Sequence, residues 1–430
     1  MMKLNEAMDI AYQELIEQAE NSPVLLLHPK SRYRSILVAM LVNDDDVNSF
    51  YYSLGPDDIN LRAFIESLLH EMVNQHSTFG RHINLLSPNV FDNLANNENM
   101  SQLLEKFTLE LSELGDDPVL FILDEYDRSD DADDIHTFIE RLADVLPENC
   151  HLVLNSRTLP RLPWVAMIAK NRAALLLDDQ LIQEDFYNNK RDETYDLEVF
   201  ALGPGIVNYK GEQIKSWEGH LPRLLFFFAL DKPIVTRSEI CSAFWPDLPI
   251  DQAVNVFHVT KRRLHKALGA DVLVHNDTYY QVNPELNVYH DVLDFVETLM
   301  RSRNPDNPNP FDDWQHAAQL YRGPFLHGHN DSWILERRNA FRIGYLEALT
   351  NMASAWIEKD RKELALKLYL QALDEDNTRE DIHRQTMQLY VDLGRRSEAI
   401  AHYQDLEKSF GEQKRDISEE TTALYSTIVN

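Results

Sequence analysis

The sequence predicts a multidomain chain in which an α/β region comes first, an α+β region second and an all-helical region last. Over residues 1–190, short apolar runs alternate with amphipathic stretches, which is typical of strands and helices in turn. In residues 196–285, three helical patterns precede an alternating run that turns back on itself. Residues 286–430 have a helical pattern throughout and repeat with a period of 34 residues.

The composition is that of a folded, soluble protein without a membrane partner. Of the 430 residues, 44% are hydrophobic and 26% are charged. No run approaches the roughly 18 consecutive apolar residues of a membrane helix, and the acidic N-terminus is neither a secretory signal nor a transit peptide. Cys150 and Cys241 are the only cysteines, too few for a disulfide framework, so we expect a cytoplasmic location.

The net charge of −30 is unevenly distributed along the chain. Residues 1–195 carry −20, residues 196–285 carry −2 and residues 286–430 carry −8. An acidic surface repels nucleic acid, so the overall balance argues against DNA binding. Within the nearly neutral middle region, however, Asp251–Gly269 has a net charge of +3, and this local field acts within a Debye length of roughly 8 Å.

The N-terminal region predicts a buried parallel sheet. Four short apolar runs are typical of strands that are covered on both faces: Pro23–His28, Ser49–Leu54, Pro118–Tyr126 and His151–Arg157. Amphipathic helices are predicted at Leu61–Gln75 and Asp133–Leu146. The polar run Asn188–Asp196 follows them. We therefore place the first boundary there, between a domain at 1–190 and the next at 196–285.

The middle region predicts a winged helix-turn-helix. The apolar run Leu221–Leu230 is a first helix, and Thr236 begins a second helix with Glu239 in capping-box spacing. The basic helix Asp251–Gly269 comes next. Val272–Val282 then alternates in hydrophobicity, as the two strands of a hairpin do. Helix, helix, basic helix and hairpin are the elements of this fold in their usual order.

Projected at about 100° per residue, the basic helix separates into an apolar and a polar face. The apolar face consists of Ala253, Val256, Phe257, Thr260, Leu264, Ala267 and Leu268. The polar face and its flanks, which we predict to contact DNA, consist of Asn255, His258, Val259, Lys261, Arg262, Arg263, His265 and Lys266. The candidate contacts of the hairpin, or wing, are His275, Asn276, Thr278 and Tyr279.

Residue type predicts what each of these side chains would contact. Arginine and asparagine have the shape for bidentate contacts with guanine and adenine, so Arg262 and Asn255 are predicted to read bases. Val259 can touch a thymine methyl group. Lys261 and Arg263 lie on the flanks, where phosphates are the natural contacts. The alternative is a solvated basic face. No metal is expected, because the histidines have no cysteine or carboxylate at ligand spacing.

The C-terminal region predicts tetratricopeptide-like helical repeats. The matched positions, each 34 residues apart, are Ala365 and Ala399, Tyr369 and Tyr403, Leu366 and Ile400, and Trp356 and Tyr390. Small residues at fixed offsets allow paired helices to approach, and aromatic residues fill the groove between pairs. Generic helical packing is the alternative interpretation. The segment Arg301–Asp312 is rich in proline and asparagine and is predicted to be a loop, because three prolines block a continuous helix.

Seven segments follow one another in the order of a known family: Leu197–Ile214, Phe244–Asp247, Val256–Gly269, Tyr279–Pro284, Tyr321–Gly328, Asp331–Leu349 and Arg379–Tyr403. They resemble bacterial transcriptional activators of the antibiotic-regulatory type. The resemblance implies an OmpR-like winged helix that binds promoter DNA sequence-specifically, and a bacterial transcriptional activator domain at 286–430. It also implies that the latter domain forms a homodimer or contacts RNA polymerase.

Three N-terminal segments are similar to the nucleotide-binding domain of MalT-like signal-transduction ATPases: Phe50–Asp58, Val119–Asp131 and His151–Pro160. The resemblance implies a P-loop-like fold in which Asp124 and Glu125 end the Walker B strand and Arg157 ends the next strand. The chain departs from that family at Pro29–Met40, where a glycine-rich phosphate loop would stand. The first glycine of the chain is Gly55. A P-loop needs glycines so that backbone N–H groups can wrap the phosphates.

We therefore predict a degenerate nucleotide site that does not hydrolyse ATP. Lys30, Arg32 and Arg34 can neutralise an anion near a helix N-terminus, but they cannot supply the missing backbone curvature. Asp124 and Glu125 have the chemistry of a Mg²⁺ ligand and a water-activating base. We interpret them instead as the acidic strand end of a degenerate scaffold. No nucleophile motif such as G-x-S-x-G is present, so no catalytic residue and no cofactor are predicted.

The sequence thus predicts a transcription regulator, with activation as the expected outcome and double-stranded promoter DNA as the expected partner. One alternative is a protein-interaction scaffold without DNA binding, which the net charge of −30 favours. The other is an ATP-dependent signalling switch, which the missing phosphate loop disfavours. A further hypothesis is that the acidic region 1–190 covers the basic helix in the resting protein.

Overall fold

The structure is a computed structural model that describes residues 4–31, 33–44, 46–94, 96–115, 117–176, 186, 194–276 and 278–429. The chain divides into two compact units, and each is described by itself. The first unit comprises Met1–Val199 with Ile206–His290, and the second comprises Phe200–Gly205 with Asp291–Asn430. Most of the predicted boundary run Asn188–Asp196 lies outside the described residues.

The N-terminal part of the first unit contains a parallel sheet. Its strands are β1 (Val24–Leu27), β2 (Asn48–Ser53), β3 (Val119–Asp124), β4 (Cys150–Asn155) and β5 (Ala173–Leu176). They lie in the order β2-β3-β4-β1-β5, and each neighbouring pair is parallel. The four predicted strands are confirmed, because continuous apolar runs suit a sheet that is buried on both faces. The edge strand β5 was not predicted, since so short a run has no distinctive period.

Helices connect the strands of this sheet. They are α1 (Leu4–Asn21), α2 (Arg34–Asn43), α3 (Leu61–Gln75), α4 (Pro88–Asp92), α5 (Asn97–Ser112), α6 (Asp133–Val145) and α7 (Trp164–Ala169), with 3₁₀ turns at Ile83–Leu85 and Tyr126–Ser129. Of these helices, α1, α2, α3 and α7 pack against the strands. One core cluster joins Leu15 of α1 and Leu37 of α2 to Ile122 and Val153 of the sheet. The predicted helix Leu61–Gln75 is confirmed; its first turn is capped by the Asn60 side chain.

The C-terminal part of the first unit is a winged helix-turn-helix. Its strands are β6 (Leu197–Phe200), β7 (Ile206–Tyr209), β8 (Glu212–Gln213), β9 (Val235–Thr236), β10 (Leu273–Asn276), β11 (Tyr279–Val282) and β12 (Val288–His290). Its helices are α8 (His220–Leu230), α9 (Arg237–Phe244) and α10 (Ile250–Leu268). The strand orders are β12-β6-β7-β8 and β10-β11-β9. β12 lies beyond residue 285 and pairs in parallel with β6.

Local sequence determines where α9 begins and where α10 ends. The Thr236 hydroxyl accepts a hydrogen bond from the Glu239 amide, and the Glu239 carboxylate accepts one from the Thr236 amide. This is the predicted capping box, which satisfies two amides at the start of α9. α10 ends at Gly269, whose φ of 69° lies in the left-handed region that glycine adopts without strain. The predicted wing is confirmed as the antiparallel hairpin β10–β11.

The second unit contains a series of helical repeats. Its helices are α11 (Asp291–Arg303), α12 (Pro310–Leu320), α13 (Ser332–Glu358), α14 (Lys362–Glu375), α15 (Glu380–Asp392), α16 (Arg396–Glu412) and α17 (Glu419–Val429). Each packs against its neighbour in sequence. Ala365 and Tyr369 on α14 match Ala399 and Tyr403 on α16, and all four are buried. The helices thus follow the predicted 34-residue period.

The prediction of a loop over Arg301–Asp312 is wrong at both ends. α11 continues to Arg303, and α12 begins at Pro310. Proline is tolerated at the first position of a helix, because the amide that it lacks would have no partner there. Among the residues that the structure describes, no helix combines the length and the apolar character that crossing a membrane requires.

Candidate nucleic-acid interface

The helix α10 presents two faces of opposite burial. The buried residues are Ala253, Phe257, Thr260, Leu264 and Leu268. Val256 and Ala267, also predicted to face inward, are half-buried. This face packs against α8 and α9, and the ring of Phe257 meets the ring of Tyr280 in β11 edge-on, with centroids 4.9 Å apart. The core therefore fixes the rotation of α10 about its own axis.

The opposite face of α10, together with its flanks, carries the predicted DNA contacts. Its exposed members are Asn255, His258, Val259, Arg262, Arg263 and Lys266, and its half-buried members are Lys261 and His265. Neither Arg262 nor Arg263 forms an ion pair with any residue that the structure describes. Lys266 pairs with Glu218, with 3.1 Å between Nζ and Oε1. The Nζ of Lys261 lies 5.3 Å from the centre of the Tyr280 ring.

His258 lies among cations. Partial burial, together with the charges of Lys261, Arg237, His275 and Arg262, lowers the pKa of His258 below its ordinary value of 6.5. The imidazole is therefore neutral at pH 7 in the free protein. An anion placed here would relieve the mutual repulsion of these cations and raise the pKa of His258. A phosphate is one such anion.

A groove separates α10 from the wing. It has a volume of about 690 Å³ and is lined by His258, Lys261, Arg262, His265, Asp271, Leu273, Val274 and His275. His265 points into this groove and pairs with Asp271, with 2.7 Å between Nδ1 and Oδ1. Burial lowers the pKa of His265, although Asp271 acts to raise it. One ring nitrogen of His265 is thus already engaged within the protein, unlike the side chains of Arg262 and Arg263.

The wing places its predicted contacts at the hairpin turn. His275, Asn276 and Thr278 are exposed, and Tyr279 is half-buried. The Asn276 amide donates a hydrogen bond of 3.2 Å to the Tyr279 hydroxyl. Asp277, predicted at the turn, lies outside the described residues. His275 lines the same groove as His258, so the wing and α10 contribute to one surface.

Sequence reasoning missed Arg237. This residue is the first of α9, is exposed, and contributes to the positive field at His258. A signal was present, because Arg237 follows the Thr236 cap directly and the first helix of a helix-turn-helix crosses the DNA backbone. Asp271 was also missed, since nothing local to it indicates that it would reach His265.

The predicted degenerate nucleotide site begins in the loop that follows β1. The connection between β1 and α2 spans only residues 28–33 and contains no glycine. The Ser31 amide donates to the His28 carbonyl, which closes a tight turn where a wide loop would be needed. Arg34 donates to Asn155 Oδ1 at 3.1 Å, Lys30 is exposed, and Arg32 lies outside the described residues.

The acidic strand end is satisfied from within the protein. Asp124 accepts hydrogen bonds from the Tyr51 hydroxyl at 2.8 Å and from the Asn155 amide at 2.7 Å. Burial, and then the neighbouring Asp124, raise the pKa of Tyr51 and keep it a donor. Arg157 Nη2 lies 2.6 Å from Asp127 Oδ2 and 3.6 Å from Glu125 Oε2. Each of these carboxylates therefore already has a hydrogen-bond or ion-pair partner within the protein.

The residues that the structure describes do not form a side-chain group of the kind that holds metal ions in proteins. They contain no group of three or more histidine, cysteine, aspartate or glutamate side chains arranged to hold an ion. Cys150 and Cys241 are both free and buried. Burial raises the pKa of the Cys150 thiol to about 12, so this side chain behaves as an apolar core residue.

The fold and the cationic surface define a winged helix-turn-helix protein with appended helical repeats. Residues 296–429 match the sequence family described as the bacterial transcriptional activator domain. The match confirms the domain that was predicted for the C-terminal region. It covers less than half of the chain and so identifies this region and not the whole protein. No curated protein matches the chain.

Two solved structures show a likeness to the chain. The structure of Mycobacterium tuberculosis EmbR in complex with a low-affinity phosphopeptide is 19% identical over 55% of this chain and 65% of that one, with a TM-score of 0.44. A signal-transduction ATPase with numerous domains and a tetratricopeptide repeat sensor, from Pyrococcus horikoshii, is 12% identical over 97% of this chain and 66% of that one, with a TM-score of 0.23. The matches span just under two thirds of either protein. At these TM-scores neither likeness bears on the function.

Proposed function

We propose that the protein is a sequence-specific DNA-binding regulator of transcription, acting in the cytoplasm as an activator. The observation that carries the proposal is the outer face of α10, where Arg262 and Arg263 are exposed and have no ion pair among the described residues. In a chain of net charge −30, cations without internal partners on one helix are available for an anionic ligand. The bacterial transcriptional activator domain at 296–429 supports the same function.

The geometry suggests how DNA would be held. The major groove of B-DNA is about 12 Å wide and admits an α-helix, so α10 would enter it with its outer face towards the bases. Arg262 and Asn255 would then reach base edges. Lys261, Arg263 and Arg237 lie to the sides, where phosphates fix the position of the helix without carrying sequence information. The wing would contact the neighbouring backbone or groove.

The helical repeats of the second unit would provide the contact with a protein partner. Stacked helical repeats form extended surfaces that bind other proteins. For a transcription activator, the partner would be RNA polymerase or a second copy of the chain bound to an adjacent DNA site. Binding of the winged helix to DNA and binding of the repeats to a protein are then separable activities of one chain.

Selection of bound fragments from genomic DNA by the purified full-length chain tests this proposal. We expect enrichment of a common sequence. Arg262→Ala should relax the preference at one base position by roughly 1–3 kcal/mol. Arg141→Ala, which removes an arginine from the α/β region, is the matched control and should preserve the enriched sequence. Retention of no duplex even at low salt would favour the alternative of an interaction scaffold without DNA binding.

We also propose that the α/β region does not hydrolyse ATP and acts as a regulatory module. The support is the engagement of Asp124 by Tyr51 and Asn155, together with the short connection at residues 28–33 that lacks glycine. Calorimetric titration of the full chain with Mg·ATP should give no binding heat. Micromolar binding that Asp124→Ala abolishes would instead favour the ATP-dependent switch.

A further inference from the structure

Arg161 of the α/β region is a buried cation. Only 1% of its surface is exposed, and a buried guanidinium must be paired to be tolerated. Its Nε donates to the Asp130 carbonyl at 2.9 Å, and its Nη2 lies 2.8 Å from Asp133 Oδ1. These contacts lie within the α/β region and leave one side of the guanidinium for another partner.

The remaining partner of Arg161 belongs to the winged helix. Arg161 Nη1 donates to Glu239 Oε2 at 2.9 Å, and Glu239 is the capping-box residue at the start of α9. Lys232 Nζ lies 2.9 Å from the other oxygen of Glu239. A second contact joins the same elements, because the Thr236 hydroxyl donates to Asp133 Oδ2 at 3.0 Å. Two cations and two carboxylates thus form a paired network between the α/β region and the start of α9.

The start of α9 is where DNA would approach. The first helix of a helix-turn-helix crosses the DNA backbone, and helix N-termini attract phosphates. Arg237 and Ser238, in the first turn of α9, are exposed. The carboxylate of Asp133 accepts from the Thr236 hydroxyl, which is the kind of hydrogen bond that a phosphate oxygen would accept in its place. It also brings negative charge to the edge of the cationic surface.

We propose that Asp133 and Arg161 hold the winged helix in a state of reduced DNA affinity. Asp133 occupies the phosphate-facing end of α9, and the Arg161–Glu239 ion pair fastens the acidic α/β region there. The outer face of α10 is exposed in this arrangement, so the described part of the acidic region does not cover the basic helix. We place the inhibition of DNA binding at the neighbouring helix α9 instead. If Asp133 left the start of α9, a DNA phosphate could bind there. This inference rests on the proposed DNA-binding function.

The test compares the full-length wild type with Arg161→Met and Asp133→Asn. Arg62→Met is the control for the first, because Arg62 is an exposed residue of the same region that pairs with Glu66. Asp144→Asn is the control for the second, because Asp144 is an exposed carboxylate that pairs with Lys170. Each control matches its variant in net charge. Affinity for a selected duplex is measured by anisotropy, and amide hydrogen exchange is measured over Arg237–Phe244.

Both variants should bind the duplex about tenfold more tightly than the wild type, within the usual range of coupling between sites. Exchange at the start of α9 should become faster in both, and the controls should match the wild type. Thermal unfolding shows whether Arg161→Met has a folding defect. If it does, Asp133→Asn still tests the inference, because this substitution retains the shape of the side chain.

Two results would overturn the inference while leaving DNA binding in place. Equal affinity of all the proteins would exclude inhibition, and unchanged hydrogen exchange in both variants would exclude the fastening contact. If none of the proteins, the controls included, retains any duplex at low salt, then the proposed function itself fails, and the inhibition fails with it. The exchange data would then report only whether the two regions are joined.

Discussion

The acidic edge of the parallel sheet and the outer face of α10 differ in whether their charged groups have partners inside the protein. At the sheet edge, Asp124 accepts hydrogen bonds from two side chains, and Arg157 is held by Asp127. On α10, Arg262 and Arg263 form no ion pair with any described residue. The sequence offered charged residues at both surfaces as candidate ligand contacts, and among the described residues only those on α10 include arginines without an ion pair.

This difference separates charged residues that serve stability from charged residues that are available to a ligand. Removing one partner of an internal charge pair leaves the other partner unpaired, which destabilises the fold, and a ligand could reach either partner only by breaking the pair. An exposed cation without a partner contributes little to stability, and its N–H donors and charge remain available to another molecule. Substitutions at the two surfaces should therefore have opposite effects, the first on stability and the second on binding.

The largest expected effect is that of the double variant Arg262→Ala/Arg263→Ala on DNA affinity. We expect a loss of about a hundredfold, since each arginine contributes a contact worth roughly 1–3 kcal/mol. The free energy of unfolding should change by about 0.5 kcal/mol or less, because neither side chain has an internal partner. Anisotropy and urea unfolding measure the two quantities. Arg62→Ala/Arg141→Ala is the control of equal charge. If the double variant loses stability but keeps its DNA affinity, then these arginines serve the fold and not binding, contrary to the comparison.

The next effect is the destabilisation by Asp124→Ala. The Tyr51 hydroxyl and the Asn155 amide would lose their acceptor, so the free energy of unfolding should fall by roughly 1–3 kcal/mol. Asp124→Asn preserves the shape and one acceptor and should cost less. DNA affinity should be the same in all three proteins. If Asp124→Ala is as stable as the wild type in urea, the acidic edge is not held together in the way described.

A smaller effect is the dependence of DNA affinity on pH. Partial burial and the cations nearby hold the pKa of His258 below 6.5 in the free protein, and a bound phosphate would raise it. Binding would therefore take up a proton, and the affinity should rise as the pH falls from 7 through the window below 6.5, by at most about tenfold per pH unit.

His258→Gln should flatten much of this pH dependence. His265, whose pKa burial also lowers, lies on the same groove and would account for part of the remainder. His316→Gln, which removes an exposed histidine from the second unit, is the control and should keep the wild-type profile. An affinity that falls with decreasing pH in the wild type would contradict the placement of phosphate beside His258.

The smallest effect is that of Lys261→Ala. It should weaken the binding of every sequence by a similar factor and reduce the salt slope of log K by about one, because phosphate contacts carry no sequence information. Lys266→Ala should change the slope less, since Lys266 is already paired with Glu218. Titrations of two unrelated duplexes over a range of salt measure both. If the loss of affinity for Lys261→Ala depends on the DNA sequence, then Lys261 contacts bases and not the phosphate backbone.

The sequence alone determined the elements that depend on neighbours along the chain. The capping box at Thr236 and Glu239, the apolar stripe of α10 and the 34-residue period of the helical repeats are all local patterns, and each formed the element that it predicts. Local hydrogen bonding and helical periodicity act over a few residues, so a pattern over those residues is sufficient.

Only the tertiary structure decided which charges are paired. Arg34 and Asn155 are 121 residues apart in sequence, and Arg161 and Glu239 are 78 apart, so no local pattern indicates either contact. The same holds for the edge strand β5, which exists because β1 offers it a hydrogen-bonding partner. An ion pair depends on distance in space, which the fold sets and spacing along the chain does not. For this reason the sequence indicated where charges cluster but not which of them remain available to a ligand.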